Sequence, residues 1–444
     1  MKKLFISVGL AAAGSAGLQV HAQDLTPMQT TKIWSASASL RGFYDDNYTT
    51  SQNGNKQGSA GFEVSPTVQF DVPLQQTEIS LKYIYGLYYY QERRNQGNDP
   101  YDQSHQVDFW LDHAFTERVQ ATVKDTFAYG REPSILNTSQ GALVTTRVEG
   151  NNYANTANVA LTVDWTREFS TVTTYNNSVY DYENDGTTEQ GLNPFLPPPT
   201  KPQSASLAGL LNRIDQSIGN DFRWALDPET FALIGYKFEW VLYTGGEPTA
   251  VKTYLPLPGT YFFSEDNNNR SQFLYLGFQH NFLPNLNFSA QGGAQATTYY
   301  NNPQTPDFIT PYANITSSYT YAPGSYVQLG FLHQQNATSI SAPGGSNQNI
   351  TQGQQSSVFS AMINHQITAK LTGSLVGTFQ NSRYYQGAYN NNADQIYSFS
   401  ANLSYAFNQH FSTDLGYNFD DVQSNIPGNA YSRNRVYLGV TATY

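Results

Sequence analysis

The 444-residue chain contains no cysteine. That excludes a disulfide framework, a thiolate metal site and a lipid-modified N-terminal cysteine. Charge is scarce as well. Only 13% of residues are Asp, Glu, Lys or Arg, roughly half of the ~25% found in ordinary soluble domains. No excess of bases offsets this. With 23 Lys and Arg against 34 Asp and Glu, phosphate neutralisation has no source, and nucleic acid is not expected as a partner. Beyond the first residues there is no long apolar run, so no membrane-spanning helix is expected.

Neutral polarity and aromatic rings fill the space that charge leaves. The chain holds 39 Asn, 35 Gln, 33 Tyr, 26 Phe and 5 Trp. So many rings, with abundant β-branched residues, argue against disorder, because they bury area. At the N-terminus, Lys2 and Lys3 precede an apolar, small-residue stretch from Leu4 to Leu18, and Val20-His21-Ala22 fits a small-x-small cleavage site. Residues 1–22 therefore read as a secretory signal peptide. Loss of the two lysines takes the net charge from −11 to −13. Residues 23–32 read as a short periplasmic segment, and 33–444 as one domain.

Within that domain the period is two. Ala60, Phe62, Val64, Pro66, Val68, Phe70 and Val72 share one face, and Gly61, Glu63, Ser65, Thr67, Gln69 and Asp71 the other. This is a strand with one apolar and one polar side. The alternation predicts eighteen strands, near 33–46, 59–72, 77–90, 105–115, 118–129, 153–165, 169–182, 206–226, 230–243, 270–282, 286–300, 309–321, 326–338, 356–367, 371–382, 395–407, 411–420 and 433–444. The seventh and eighth are the least regular, and 204–211 is the one stretch that would fit a helical turn or two. Connections alternate strictly between short and long, as in an even-stranded meander with both termini on the short-turn side. A soluble sandwich or solenoid would also alternate, but it needs no such asymmetry. The expected fold is all-β: a transmembrane antiparallel up-and-down barrel of about 18 strands, with short periplasmic turns and long external loops.

The last strand adds its own signal. Val436, Leu438, Val440, Ala442 and Tyr444 alternate up to an aromatic terminus. This resembles the C-terminal signature read by the barrel-assembly machinery of bacterial outer membranes. The opening segment, Leu40-Arg41-Gly42-Phe43-Tyr44-Asp45-Asp46-Asn47, resembles the first strand and aspartate–asparagine turn of the putative β-barrel porin type 2 family. The succession of roughly ten-residue strands with tight turns continues the likeness over 33–444. The resemblance implies an integral protein of the bacterial outer membrane, surrounded by its lipid, with a transport role. It transfers no catalytic residues.

Eighteen strands would enclose a lumen too wide for side chains alone to fill. Passive diffusion of small hydrophilic solutes is the expected function. The alternative is a closed barrel with a structural, adhesive or receptor role. Candidate lumen-lining charges are Arg41, Glu63, Lys82, Asp108, Asp112, Lys237, Glu239 and Arg435. Either they set solute preference or they pair with one another and merely solvate the lumen. Between Ser271 and Ala369 the only charged residue is Asp307, so strands 11 to 15 would present Asn, Gln, Ser, Thr and Gly inward. Inward Tyr88, Tyr90, Tyr275, Tyr299, Tyr326 and Tyr437 would offer stacking faces to sugars, or simply reflect the abundance of Tyr. Pro194, Phe195, Leu196 and Pro197, in a proline-rich loop, are candidates for a constriction, and 254–258 is a second. Asp125 falls on the apolar parity between Val123 and Phe127, which predicts a bulge or a position above the membrane.

No cofactor or metal site is expected. Asp181, Glu183 and Asp185 precede Gly186, but Leu192 stands where a calcium loop needs its final Glu. Neither G-x-S-x-G nor H-E-x-x-H occurs. His113, His280, His365 and His410 lie near short turns, where an amphipathic ring is at ease, so an enzyme is not expected.

Overall fold

Alternating side chains make a pleated strand two-faced, and a sheet whose two faces meet different solvents has to close on itself if its edges cannot be hydrated. The computed structural model describes residues 33–130, 152–183, 207–246, 248–251, 261–302, 305–337, 351–387, 389–426 and 429–444. The strands are β1 Trp34–Asp45, β2 Ser59–Pro73, β3 Thr77–Tyr90, β4 Tyr101–Thr116, β5 Val119–Gly130, β6 Asn152–Asp164, β7 Phe169–Tyr182, β8 Arg213–Ala225, β9 Thr230–Tyr243, β10 Pro248–Val251, β11 Tyr261–Phe263, β12 Asn269–Leu283, β13 Leu286–Thr298, β14 Phe308–Ala322, β15 Ser325–Asn336, β16 Gly353–Thr368, β17 Leu371–Tyr385, β18 Ala393–Ala406, β19 Phe411–Ser424 and β20 Tyr431–Thr443. All but β10 and β11 form one 18-stranded antiparallel sheet in which each strand pairs with its chain neighbours. Closure comes from β1 on β20, with Ser37–Asp45 opposite Arg435–Thr443. Both ends of the sheet lie at the short-turn rim, where Trp34 stacks on Tyr444 at 5.5 Å.

The apolar parity faces outward. Leu40, Leu276, Ile309 and Leu438 are all more than half exposed, as a lipid-covered surface is in the isolated chain. The polar parity faces the lumen. Glycines permit close approach on that inner wall: the Tyr275 ring covers the position a side chain would take at Gly235, the Tyr437 ring does the same at Gly416, and at Gly293 that position is taken by the Leu274 carbonyl and the Tyr275 backbone.

Four boundaries or positions differ from the sequence reading. The eighth strand begins at Arg213, not 206, because a short helix, α2 Leu207–Leu211, precedes it. Leu211 is buried against Tyr180 and Tyr182, and a tight helical turn aims it there where an extended segment would not. The loop after β3 opens with the helix α1 Gln91–Asn95, and β4 starts at Tyr101. The long loop after β9 carries the β10–β11 hairpin and a 3₁₀ turn at Ser264–Asn267.

The fourth difference concerns Asp125, which sits in no bulge. The ladders on both sides run through it without a shift, opposite Phe109 and Ala157. It lies mid-strand and accepts a hydrogen bond from Asn155 Nδ2 at 2.9 Å. Residues 1–32, Pro194, Phe195, Leu196, Pro197 and 254–258 lie outside the described residues.

Candidate functional site

Strand parity brings Arg41, Glu63, Lys82, Asp108, Asp112, Lys237, Glu239 and Arg435 to the inner face, in three groups. The first straddles the closing seam. Arg41 Nε donates to Asp414 Oδ2 at 3.0 Å, and its Nη1 lies 3.7 Å from Glu63 Oε1. Arg435 approaches the other oxygen of Glu63 at 3.8 Å and lies over the Phe43 ring at 4.3 Å. Two guanidinium groups thus share two carboxylates across β19, β20, β1 and β2. Nearer the long loops, Arg433 donates to Asp45 Oδ2 from Nε at 2.8 Å and from Nη2 at 2.5 Å.

On α1, in the connection that follows β3, Arg93 clamps Asp102 with two bonds of 2.6 and 2.7 Å and lies over the inward ring of Tyr90. Burial opposes the Arg93 charge, but Asp102, helped by Tyr90 and Tyr48, holds the guanidinium above its usual pKa.

The second group lies on β8, β9 and β12. Oppositely charged residues two apart on one strand share a face. Arg213 pairs with Asp215 at 3.0 Å, Arg223 with Asp221 at 3.5 Å, and Lys237 with Glu239 at 3.0 Å. Tyr275 donates its hydroxyl to Asp221 at 2.6 Å, and Lys237 Nζ sits 3.7 Å from the centre of the Phe273 ring. Leu233, Phe273, Tyr275 and Tyr312 are buried together.

The third group, on β2 to β5, is open. Asp71, Lys82, Asp108, Trp110 and Asp112 are half-buried, and Glu78 and Lys124 are exposed. Here amides and hydroxyls orient the acids. Gln106 and Thr126 donate to Asp108, Gln120 and Thr122 donate to Asp112, and Gln69 donates to Asp71. Lys82 stands opposite Asp108 in the ladder, and Glu78 opposite Asp112. Four acids and two lysines give this stretch of wall an acidic balance.

The charge-poor wall is partly as expected. Gln295, Thr297, Gln354, Ser356, Gln380 and Ser382 point inward and are buried. Apolar residues share that parity, however: Tyr312, Val358, Met362 and Val376 are also buried. The sequence reading names Asn, Gln, Ser, Thr and Gly there, with Tyr299 and Tyr326, and the structure adds these apolar side chains. On the loop side Gln352 ties three segments together. Its amide donates to the Asp266 carbonyl at 2.8 Å, its side-chain oxygen accepts from Asn302 and Thr305, and its carbonyl accepts from Tyr299. Of the inward tyrosines, Tyr90, Tyr275 and Tyr299 are buried, so their faces are already packed.

Sequence reasoning missed Asp45, Arg213, Asp215, Asp221, Arg223, Asp414 and Arg433. The base-x-acid spacing on a strand was the available signal for Arg213–Asp215 and Arg223–Asp221. Asp414 gives no local signal, because its partner lies on the first strand. Asp181 is occupied by Tyr153 and Asn212, and Asp185 lies outside the described residues.

A closed, even-stranded antiparallel barrel with an apolar exterior, a polar interior and short and long connections at opposite rims is of the outer-membrane class. The sequence profile of the family described as Putative beta-barrel porin 2 matches residues 345–444, the stretch that carries β16 to β20, in agreement with the family resemblance noted in the opening strand. No curated protein matches the sequence. Among solved structures, the chain is similar to the siderophore receptor PiuA from Acinetobacter baumannii, with 11% identity and a TM-score of 0.45 over 93% of this chain and 82% of that one. It is similar to OccK2 (OpdF) from Pseudomonas aeruginosa, solved with glucuronate, with 10% identity and a TM-score of 0.43 over 92% and 98%. It is also similar to OccAB3 from Acinetobacter baumannii, with 10% identity and a TM-score of 0.42 over 93% and 99%.

Proposed function

We propose that the protein is a passive channel of the bacterial outer membrane for small hydrophilic solutes, exported by the signal peptide at 1–22 and inserted by the barrel-assembly machinery. One observation carries the reading. On β2 to β5 the lumenal wall keeps Asp71, Glu78, Lys82, Asp108, Asp112 and Lys124 accessible, where a filled barrel would bury or neutralise them. Water-filled lumens are polar in this way. The acidic balance of that wall favours cations modestly, because two lysines interrupt it.

The second reading, a closed barrel with a receptor role, draws on the opposite observation. Arg213, Asp215, Phe273, Gln295 and Gln380 are buried on the wall from β8 to β17. Liposome swelling separates the two. Vesicles holding the folded protein should swell in small neutral polar solutes at rates that fall with solute size. Swelling no faster than in protein-free vesicles would favour the closed barrel.

A further inference from the structure

Asp125 is the one acid, lysine or arginine that faces outward in the middle of a barrel strand among the described residues. It stands six residues from the short-turn end of β5 at Val119. With a rise of ~3.3 Å per residue and a tilt of ~40°, that is about 15 Å above the rim, inside an apolar band about 25 Å tall. Its surroundings are unusual too. The outward positions of β6, β7 and β8 include Asn155, Thr171, Thr173, Asn177, Gln216 and Asn220. Gln216 spans two strands, donating to Asn177 Oδ1 at 3.0 Å and accepting from Trp240 Nε1 at 2.6 Å. The opposite wall differs. There β16 to β20 present Ile363, Leu375, Leu403, Leu415 and Val436, which line an apolar groove.

We propose that the outer face of β5 to β8 meets a second copy of this chain and not lipid. A carboxylate and a row of amides and hydroxyls in hydrocarbon are left with unmet hydrogen-bonding capacity. A neighbouring protein supplies it. A second copy fits for two reasons. Amides and hydroxyls both donate and accept, so the stripe is complementary to itself, and the lone acceptor Asp125 meets donors. Copies inserted in the same direction also sit at the same depth, which sets each level of the stripe against its equal around an axis normal to the membrane. The inference rests on the membrane placement proposed above but not on conduction.

The absence of cysteine makes the test direct. Ala157→Cys and Asn177→Cys place single thiols on the stripe, and Leu403→Cys places one on the opposite wall. Each is treated with a short bis-maleimide in isolated outer membranes. Heat-modifiable gel mobility verifies both folding and insertion, so a failure of membrane placement is seen separately. An adduct at twice the protomer mass is expected from A157C or N177C and not from L403C. Adding Asp125→Leu should lower the yield about tenfold, the change one charge-assisted hydrogen bond makes in an equilibrium constant. Inserted protein with no adduct at either stripe position, equal adduct from L403C, or adducts only of other masses would overturn the proposal. An undiminished yield in D125L would remove Asp125 from it.

Discussion

At the scale of single residues, pairing decides what most lumenal charges do. Arg41, Glu63, Lys237, Glu239 and Arg435 each have an opposite charge within 4 Å, whereas Asp108 and Asp112 are held by neutral groups and stay accessible. The same distinction orders the consequences of substitution. Asp45 is fully buried and holds Arg433 together with the Asn47 backbone N–H. Asp45→Asn removes the buried carboxylate that accepts two bonds from Arg433, and the expected loss is about 3 kcal/mol, read as a shift in the urea unfolding midpoint of the folded barrel in lipid. An unchanged midpoint would mean that Arg433 is held by other groups or water and that the carboxylate is not needed. The lumenal parity of Arg41 or Glu63 was legible in the sequence because it needs only the period of two. Their partners were not, because Asp414 meets Arg41 only once the last strands close on the first.

At the scale of elements, strand positions were legible almost throughout, since a half-lipid, half-water environment imposes alternation on every strand. The failures fall where that constraint ends. The helix α1 and the β10–β11 hairpin lie among the long connections, where no lipid enforces a period; α2 falls within 204–211, the stretch expected to fit a helical turn, and only the start of the eighth strand is placed too early there. Asp125 broke the alternation without breaking the strand, because a neighbouring amide was available to it. Close approach of rings to glycines is a further element-scale constraint. Gly416→Leu puts a side chain where the Tyr437 ring lies, and overpacking of this kind should cost about 1–3 kcal/mol, measured as earlier loss of the heat-resistant gel form. At the last strand, Val436, Leu438, Val440 and Tyr444 are exposed on the outer face. Tyr444→Asp adds an interfacial charge costing only about 0–1 kcal/mol, so folded stability should barely change. If the alternating terminus is an assembly signal, surface levels should nevertheless fall several-fold. Wild-type levels in the outer membrane would remove that role from Tyr444.

At the scale of the whole molecule, the question is whether water runs from rim to rim. Width argues for it, since eighteen strands exceed what side chains fill. Buried residues on the wall from β8 to β17 narrow the path and leave the accessible acids and lysines of β2 to β5 along it. Conduction should therefore be modestly cation-selective. Exposed loop charges contribute little, being screened within about 8 Å at physiological salt. Replacing Asp108 and Asp112 together by Asn should reduce the preference for cations without abolishing current, whereas Lys82→Met should increase it. Reversal potentials in a salt gradient measure both, and identical values in all three proteins would place the ion path elsewhere.

The central claim is an open lumen, and single-channel recording from folded, purified protein in a planar bilayer tests it most directly. Stable ohmic steps without any energy source, with a reversal potential on the cation side, are the expected result. Verified-folded protein that inserts and passes no current would contradict the channel and leave a closed barrel in its place.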